Sequence, residues 1–465
     1  MSRIFISAAH KSSGKTTVSI GLCAALTKQK KHVQPFKKGP DYIDPMWLGA
    51  AAKHPCHNLD FYTMSHQEIL DTYARYQESV DINIIEGNKG LYDGLDLDGS
   101  NSNAALAKLL KAPVILVIDA RGMTRGIAPL ILGYQDFDHD INIAGVIMNQ
   151  LGGSRHEYKL RQVIEHYTNV PVLGAVHRNQ EMSIDERHLG LMPSNESSEA
   201  DKQIDLLATQ ISEQVDLDSV LSIANSAPDL NLPKYRFTND SSNKDEVVIG
   251  IARDAAFGFY YPDDIEAFQH NGAKLVDIDL INDTHLPDID GLFIGGGFPE
   301  TQMEQLEKNT LMRQAINDAI ESGLPCYAEC GGLMYLAKSI TWKNKTHLMS
   351  GVIPGNIMMH EKPQGRGYIR INPTQNCLWK TAESPNSEIY AHEFHYSSLN
   401  NIPPDTIYAY EVLRGTGVDG KHDGIVYKNM MACYAHLRNT QQSPWVKGFV
   451  DFIRTCKKLA KEMKR

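Results

Sequence analysis

Short apolar runs alternate with stretches of helical periodicity through the first part of the chain. The runs at Ile4 to Ala8, Ile82 to Glu86, Val114 to Asp119, Ile143 to Asn149 and Val172 to Ala175 predict strands. Helical patterns such as Val18 to Leu26 separate them, and this alternation predicts a parallel sheet with helices on both faces. From Ser194 to Glu246 the sequence turns polar, and its second half, 226–246, reads as a linker. A second α/β series then begins at Val247 to Ala252 and continues through Leu275 to Ile278, Gly291 to Ile294 and Pro325 to Ala328. The expected organisation is therefore two α/β domains, 1–225 and 247–465, each a mainly parallel sheet flanked by helices. The segment from Trp445 places Trp445, Phe449, Phe452, Ile453, Cys456, Leu459 and Met463 on one helical face. It reads as a last helix docked on its own domain rather than a basic amphipathic helix seeking a membrane or partner.

At 465 residues the chain exceeds one ordinary domain, in line with that pattern. A formal net charge of -10 argues against a general nucleic-acid binder and favours small-molecule chemistry. No run approaches the roughly 18 apolar residues of a membrane span, and the N-terminus enters Ile4-Phe5-Ile6 without a signal pattern, so the expected location is cytoplasmic. Seven scattered cysteines suit a reducing compartment. Cys326 and Cys330 have no second pair nearby, which excludes the usual zinc spacing.

Two segments carry chemistry. Ser12-Ser13-Gly14-Lys15-Thr16-Thr17 follows the first strand and opens a helix. Its backbone N–H groups and the helix N-terminus can cradle phosphates, Lys15 can reach the outer phosphates, and the Thr16 hydroxyl suits Mg²⁺. This is a P-loop for ATP, with Ala9 where the standard pattern has Gly. Metal-holding carboxylates belong at neighbouring strand ends, where Asp41 and Asp44 lie on a turn-rich loop and Glu86 ends an apolar run. Lys37 and Lys38 add positive charge.

The other segment is Ala328-Glu329-Cys330-Gly331-Gly332, followed by the helix-like run Leu333 to Ala337. A nucleophile on a tight strand-to-helix turn needs small neighbours, and the helix N-terminus would favour its thiolate. Gly295-Gly296-Gly297 at another strand end can aim backbone N–H groups at an oxyanion, with the Gly331 N–H as a second donor. His436 follows the apolar run Met430 to Ala435, and can deprotonate Cys330 and then protonate a leaving amine.

These residues resemble the class I glutamine amidotransferases, in particular the group that amidates corrinoid side chains. Arg253-Asp254-Ala255-Ala256-Phe257, Gly365-Arg366-Gly367-Tyr368, His392-Glu393-Phe394-His395-Tyr396-Ser397 and Arg414-Gly415-Thr416-Gly417 are similar to that group's motifs. In the N-terminal half, Gln34-Pro35-Phe36-Lys37, Gly39 to Pro45, Asn58-Leu59-Asp60, Glu86-Gly87, Gly90 to Gly94 and Glu186 to Leu191 resemble the dethiobiotin-synthetase-like domain of the cobyrinate a,c-diamide synthases. The resemblance implies a ligase of cobalamin biosynthesis that forms carbon–nitrogen bonds, with ATP, Mg²⁺ and glutamine as nitrogen donor. Its substrate would be a cobyrinate-like tetrapyrrole amidated on its a and c carboxylates through an acyl phosphate. By the same resemblance Ser12 to Thr17 and Lys37 would bind ATP, Asn149 its base, and Thr16, Asp41 and Glu86 the metal. Tyr42 and Ile43 would line the tetrapyrrole site, and Asp44 and Asp93 would face substrate or phosphate.

The chain departs from the pattern in places. Related triad enzymes carry a carboxylate two residues after the histidine, where this chain has Arg438, so the acid that orients His436 is undetermined or absent. Tyr390-Ala391 replaces the usual Arg-Gly, and Phe298 a frequent Tyr. His392 and His395 are three residues apart rather than the four of a metalloprotease helix. Two alternatives stay open: the same chemistry on sirohaem, nickel-sirohydrochlorin or hydrogenobyrinate, and a nucleotide-switched binding protein with an idle amidotransferase domain. The oligomeric state, a homodimer included, is also open.

Overall fold

The structure is a computed structural model that describes residues 2–179, 184, 186–187, 190–196, 199–232, 246–380 and 387–463. The chain forms two units, Met1–Arg236 and Phe237–Arg465. Most of the expected linker, 233–245, lies outside the described residues, as do His188 and Leu189 of the 186–191 motif.

In the first unit the apolar runs become a seven-stranded sheet. Its strands are β1 (Arg3–Ala8), β2 (Val33–Lys38), β3 (His57–Leu59), β4 (Ile82–Glu86), β5 (Val114–Asp119), β6 (Ile143–Leu151) and β7 (Val172–His177). The order is β3-β2-β4-β1-β5-β6-β7 and every pairing is parallel. All of β1 is buried, because helices cover both faces. The chain winds outward from β1 in both directions, so the loop after β1 lies where the order reverses, the usual ligand crevice of an open sheet. Helix α1 (Lys15–Lys28) begins directly after the glycine of the P-loop, earlier than the apolar pattern from Val18 implied. It packs tightly on α3 (Ala200–Gln214): a Cβ on Gly21 would lie 2.3 Å from Ile211 Cγ1. Asp44, expected on a loop, lies instead in the first turn of α2 (Ile43–Ala52). Asp41 caps this helix by accepting the N–H of Ile43 at 2.9 Å and of Asp44 at 3.2 Å.

The second unit is built on a nine-stranded sheet. Its strands are β8 (Val247–Ala252), β9 (Ala273–Ile278), β10 (Gly291–Ile294), β11 (Cys326–Glu329), β12 (Gly365–Pro373), β13 (Ile389–His395), β14 (Ile407–Arg414), β15 (His422–Tyr427) and β16 (Met430–Cys433). The order β9-β8-β10-β11-β16 is parallel, and β15, β14, β12 and β13 continue it antiparallel. Cys330 separates β11 from α4 (Gly331–Leu336), so the expected strand-turn-helix is present, but Ala337 already starts the next strand. Helix α5 (Trp445–Met463) docks through Trp445, Val446, Phe449, Val450 and Ile453 on an aromatic cluster of Phe268, Phe293 and Tyr327. Its distal Leu459 is 54 % exposed, so the apolar stripe exceeds the surface it covers. Among the described residues no helix is long and apolar enough to cross a membrane.

Candidate active sites

The loop after β1 bends through left-handed Ser12 (φ 67) and Gly14 (φ 78) before α1 starts at Lys15. Ser13 Oγ donates to the His10 carbonyl at 2.8 Å, and Asn149 Nδ2 donates to the Ser13 carbonyl at 2.9 Å. Asn149, read as a base-recognition residue, thus braces the P-loop from the end of β6. Gly14 is needed for that approach, since a Cβ there would lie 2.0 Å from Asn149 Nδ2. Thr17 follows in the first turn of α1.

Charged side chains from three strand ends converge here. Lys15 Nζ lies 2.8 Å and Lys37 Nζ 2.6 Å from Glu86 Oε1, and Lys37 also pairs with Asp44. The Thr16 hydroxyl donates to Glu86 at 3.0 Å and to Asp44 at 3.2 Å. Burial alone would raise the Glu86 pKa, but the ammonium groups of Lys15 and Lys37 overcome it and hold the carboxyl at about 2. Burial, reinforced by Asp41 and opposed by Lys37, pushes Asp44 up to about 6. Burial lowers Lys38 to about 8. Of the two expected loop carboxylates, Asp44 is the one hydrogen-bonded to Thr16, while Asp41 caps the helix through Oδ1 and its Oδ2 lies 3.8 Å from Lys37. Glu86 Oε2 is buried without a hydrogen-bond partner, a group that a cation or its bound water would satisfy. Together with the Thr16 hydroxyl it fits Mg²⁺. Among the described residues no three His, Cys, Asp or Glu form a metal cluster.

The expected substrate-facing residues divide. Tyr42 and Ile43 are 8 % and 7 % exposed, so they back the loop rather than offer an open surface. Asn58 Nδ2 fixes that loop by donating to the carbonyls of Gly39 and Asp41, both at 2.8 Å. Asp93 is exposed on the loop after β4, where it accepts the Gly90 N–H at 2.9 Å.

At the second site Cys330 adopts φ 45 and ψ -97, a strained conformation for a residue with a side chain. Its N–H donates to the Cys433 carbonyl at 2.7 Å, which ties the elbow to the end of β16. Gly332 meets the need for small neighbours, because a Cβ there would lie 2.2 Å from the Ile294 carbonyl oxygen. Gly296 and Gly297 pair antiparallel with Phe259 and Phe257. A Cβ on Gly297 would lie 1.9 Å from the Ala256 carbonyl oxygen, and a Cβ on Gly331 would lie 2.9 Å from Gly297 N. The two backbones expected to form the oxyanion hole therefore converge beside the thiol.

The surroundings of the thiol oppose the expected thiolate. Burial pushes the Cys330 thiol up, Glu300 and Glu329 add to the shift, and the Gly331 N–H opposes it. A helix of one and a half turns cannot offset that desolvation. The thiol instead donates to the Phe394 carbonyl at 3.8 Å. His436 stands past the end of β16, its ring stacked on His392 with centroids 5.0 Å apart and its N–H donating to the His392 carbonyl at 2.8 Å. Burial, then His395, lowers its pKa to about 3. Asp423 pins the approach to His436 by accepting the N–H of Tyr434 at 2.9 Å and of Ala435 at 2.8 Å.

Residues 2–185 match the AAA domain family, and residues 248–443 the CobB/CobQ-like glutamine amidotransferase domain family. The cobyrinate a,c-diamide synthase of Magnetococcus marinus is 44 % identical over 456 residues, which cover 97 % of each chain. This chain belongs to the cobyrinate a,c-diamide synthase family. The Methanosarcina acetivorans protein of the same name is 42 % identical over 94 % of this chain and 92 % of its own. The Archaeoglobus fulgidus one is 39 % identical over 96 % of both. In this family's terms the first unit is the P-loop α/β fold and the second the class I glutamine amidotransferase fold.

The family motifs meet in space. Glu393 accepts the N–H of Thr416 at 2.7 Å and of Gly417 at 2.9 Å, and β13 pairs with β12 so that Gly365 faces His395. Asp254 accepts the N–H of Ala256 at 2.7 Å and so shapes the backbone that Gly297 abuts. The Arg438 guanidinium is 3.0 Å from Asp263 and lies over the Tyr261 ring. Sequence reasoning passed over Glu329. Its Oε1 accepts from the Tyr327 hydroxyl at 2.7 Å and the Leu437 N–H at 2.8 Å, and its Oε2 lies 3.5 Å from His436 Nδ1. The available signal was an acid at the end of a buried strand, immediately before the nucleophile.

Proposed function

We propose that the protein amidates the a and c carboxylates of cobyrinate with nitrogen from glutamine and energy from ATP. The reading rests on one observation above others: relatives of that name align with nearly the full chain, across both sites. The synthetase reaction falls to residues 1–225 and the glutaminase to 247–465, with 226–246 between them.

In the glutaminase, His436 takes the Cys330 proton as sulfur attacks the glutamine carboxamide. The backbone N–H groups of Gly297 and Gly331 meet the oxyanion, with Gly296 fixing the loop. His436 returns the proton to the departing nitrogen, ammonia leaves, and water cleaves the thioester to glutamate. A buried neutral imidazole and thiol suit this, because the proton need only move when substrate displaces water.

In the synthetase, the N–H groups of Ser12 to Thr17 would hold the ATP phosphates, and Lys15 and Lys37 would turn from Glu86 to the outer phosphates. Mg²⁺, held by Thr16, Glu86 and Asp44, would neutralise charge on the phosphates. Asn149 keeps the loop in its cradle shape, and Asp93 would face substrate or phosphate. A substrate carboxylate takes the γ-phosphoryl group as ADP departs; ammonia then attacks the acyl phosphate carbonyl, loses a proton and displaces phosphate.

The test is incubation with ATP, Mg²⁺ and glutamine against cobyrinate, hydrogenobyrinate, sirohaem and nickel-sirohydrochlorin, counting acid-to-amide mass changes. Two amides on cobyrinate are expected. Preference for another tetrapyrrole would move the substrate, and no glutamate release with any of them would sink the ligase reading.

A further inference from the structure

Glu329 stands between the two catalytic residues of the second site in a way the chain's departure at Arg438 makes consequential. It is the residue before Cys330, it is 2 % exposed, and its Oε2 lies 3.5 Å from His436 Nδ1. The position two residues after His436, where an orienting acid was expected, is Arg438, engaged with Asp263 and Tyr261.

We propose that Glu329 is the positioning residue of the Cys330–His436 pair: its carboxylate accepts a hydrogen bond from His436 Nδ1–H and so keeps Nε2 unprotonated, able to take the thiol proton. The proposal rests on the glutaminase reading and extends it to a residue no motif assigns. Three geometric points support it. Glu329 Oε1 is held by Tyr327 and by the N–H of Leu437, the residue after His436, so the carboxylate and the imidazole are fixed to each other through one backbone step. The Cε1 edge of the His436 ring rests on Gly296, where a Cβ would lie 2.5 Å away, so the ring has little room to flip. With Nδ1 turned to Glu329, the only remaining nitrogen is Nε2. A separation of 3.5 Å is long for a hydrogen bond and ordinary for a catalytic pair before substrate tightens it.

Protonation of the pair then sets its activity. The groups facing Glu329 are Tyr327, Tyr260, Cys330, Cys433, Asp264 and His436, and those facing His436 are His392 and His395. Burial raises Glu329 to about 8. Below that pH the protonated carboxyl donates to Nδ1, the ring proton sits on Nε2, and His436 cannot accept from sulfur. Above it the carboxylate accepts from Nδ1, and the base is armed. Glutaminase turnover therefore rises with pH along a limb that belongs to the pair as a unit.

The experiment is Glu329→Gln in the full chain, with glutamate release followed from pH 6 to 9. The amide oxygen can keep the bonds from Tyr327 and Leu437, while the amide N–H₂ donates to Nδ1 and fixes the wrong tautomer. Expected are a fall in kcat of about 10²–10⁴-fold, a KM for glutamine within about threefold, and loss of the pH limb. Amidation from free ammonia, retained, reports that the variant is folded. A folded variant with kcat within about threefold of wild type and the same limb overturns the proposal. If the variant does not fold, ¹⁵N-histidine NMR of the unaltered protein decides: Nδ1-protonated His436 at pH 9 supports it, and Nε2-protonated His436 throughout overturns it. Wild-type protein that releases no glutamate would refute the glutaminase reading instead, and the NMR result would still judge the geometry.

Discussion

At the end of β1, Glu86 is buried against Lys15 and Lys37, and these ammonium neighbours hold its carboxyl at about 2. At the end of β11, Cys330, Glu329 and His436 are buried as deeply, yet burial drives each toward its uncharged form. The two sites solve desolvation in opposite ways because their chemistries need opposite things. Phosphoryl transfer uses standing charge to neutralise charge, so fixed ion pairs are an advantage. Acyl transfer through a thiol uses one mobile proton, so standing charge on the base or nucleophile would trap it.

The largest test of this contrast is Cys330→Ala. Glutamine-dependent amidation should fall by roughly 10⁴-fold or more, while amidation from free ammonia stays near wild type. Loss of both in a folded variant would deny that the reactions are separable. Lys15→Ala is the converse, with amidation from either nitrogen source falling on the order of 10³-fold and no comparable loss of basal glutamine hydrolysis.

A matched pair of substitutions sharpens the electrostatic part. The Glu86 pKa is depressed to about 2, so its ionised form contributes stability above pH 4.5 that is lost as pH falls toward 2. The Glu329 pKa is raised to about 8, so its neutral form contributes stability below pH 4.5 that is lost as pH rises toward 8. In denaturant titrations the cost of Glu86→Gln should therefore grow as pH rises from 2 to 4.5. The cost of Glu329→Gln should shrink as pH rises from 4.5 to 8. The change is on the order of 3 kcal/mol for Glu86 and on the order of 5 kcal/mol for Glu329, and slopes of the same sign would break the comparison.

Smallest is a pair of glycine replacements. Gly14→Ala would press on Asn149 Nδ2 and Gly297→Ala on the Ala256 carbonyl. Each should cost about 1–3 kcal/mol, with Gly14→Ala weakening ATP-dependent turnover and Gly297→Ala the glutaminase, as separate assays would show.

Both sites were legible where their chemistry is local in sequence. The P-loop, the Cys330 elbow and the glycine run each follow a strand within a few residues, and short-range spacing encodes them. Glu329 was not legible because its partner lies beyond the end of another strand, more than a hundred residues away and out of the reach of any periodicity. Asp44 was misplaced on a loop because Asp41, a turn-former by composition, turned out to cap a helix that Pro45 enters in its first turn. The antiparallel continuation from β15 to β13 was not legible because several of its strands mix buried with part-exposed positions and lack continuous apolar runs.

One feature bears on how such a site can change over time. Cys330 and His436 extend from β11 and β16, adjacent parallel strands locked in register from Cys326 and Met430 to Glu329 and Cys433. Their spacing is thus inherited from the ladder and not from the loops around it. The Cys330 amide should exchange its hydrogen only when the whole unit opens, and insertions in the outer antiparallel hairpins can accumulate without retuning the nucleophile. The reactive pair is insulated from drift at the sheet's far edge, which leaves that edge open to evolutionary variation.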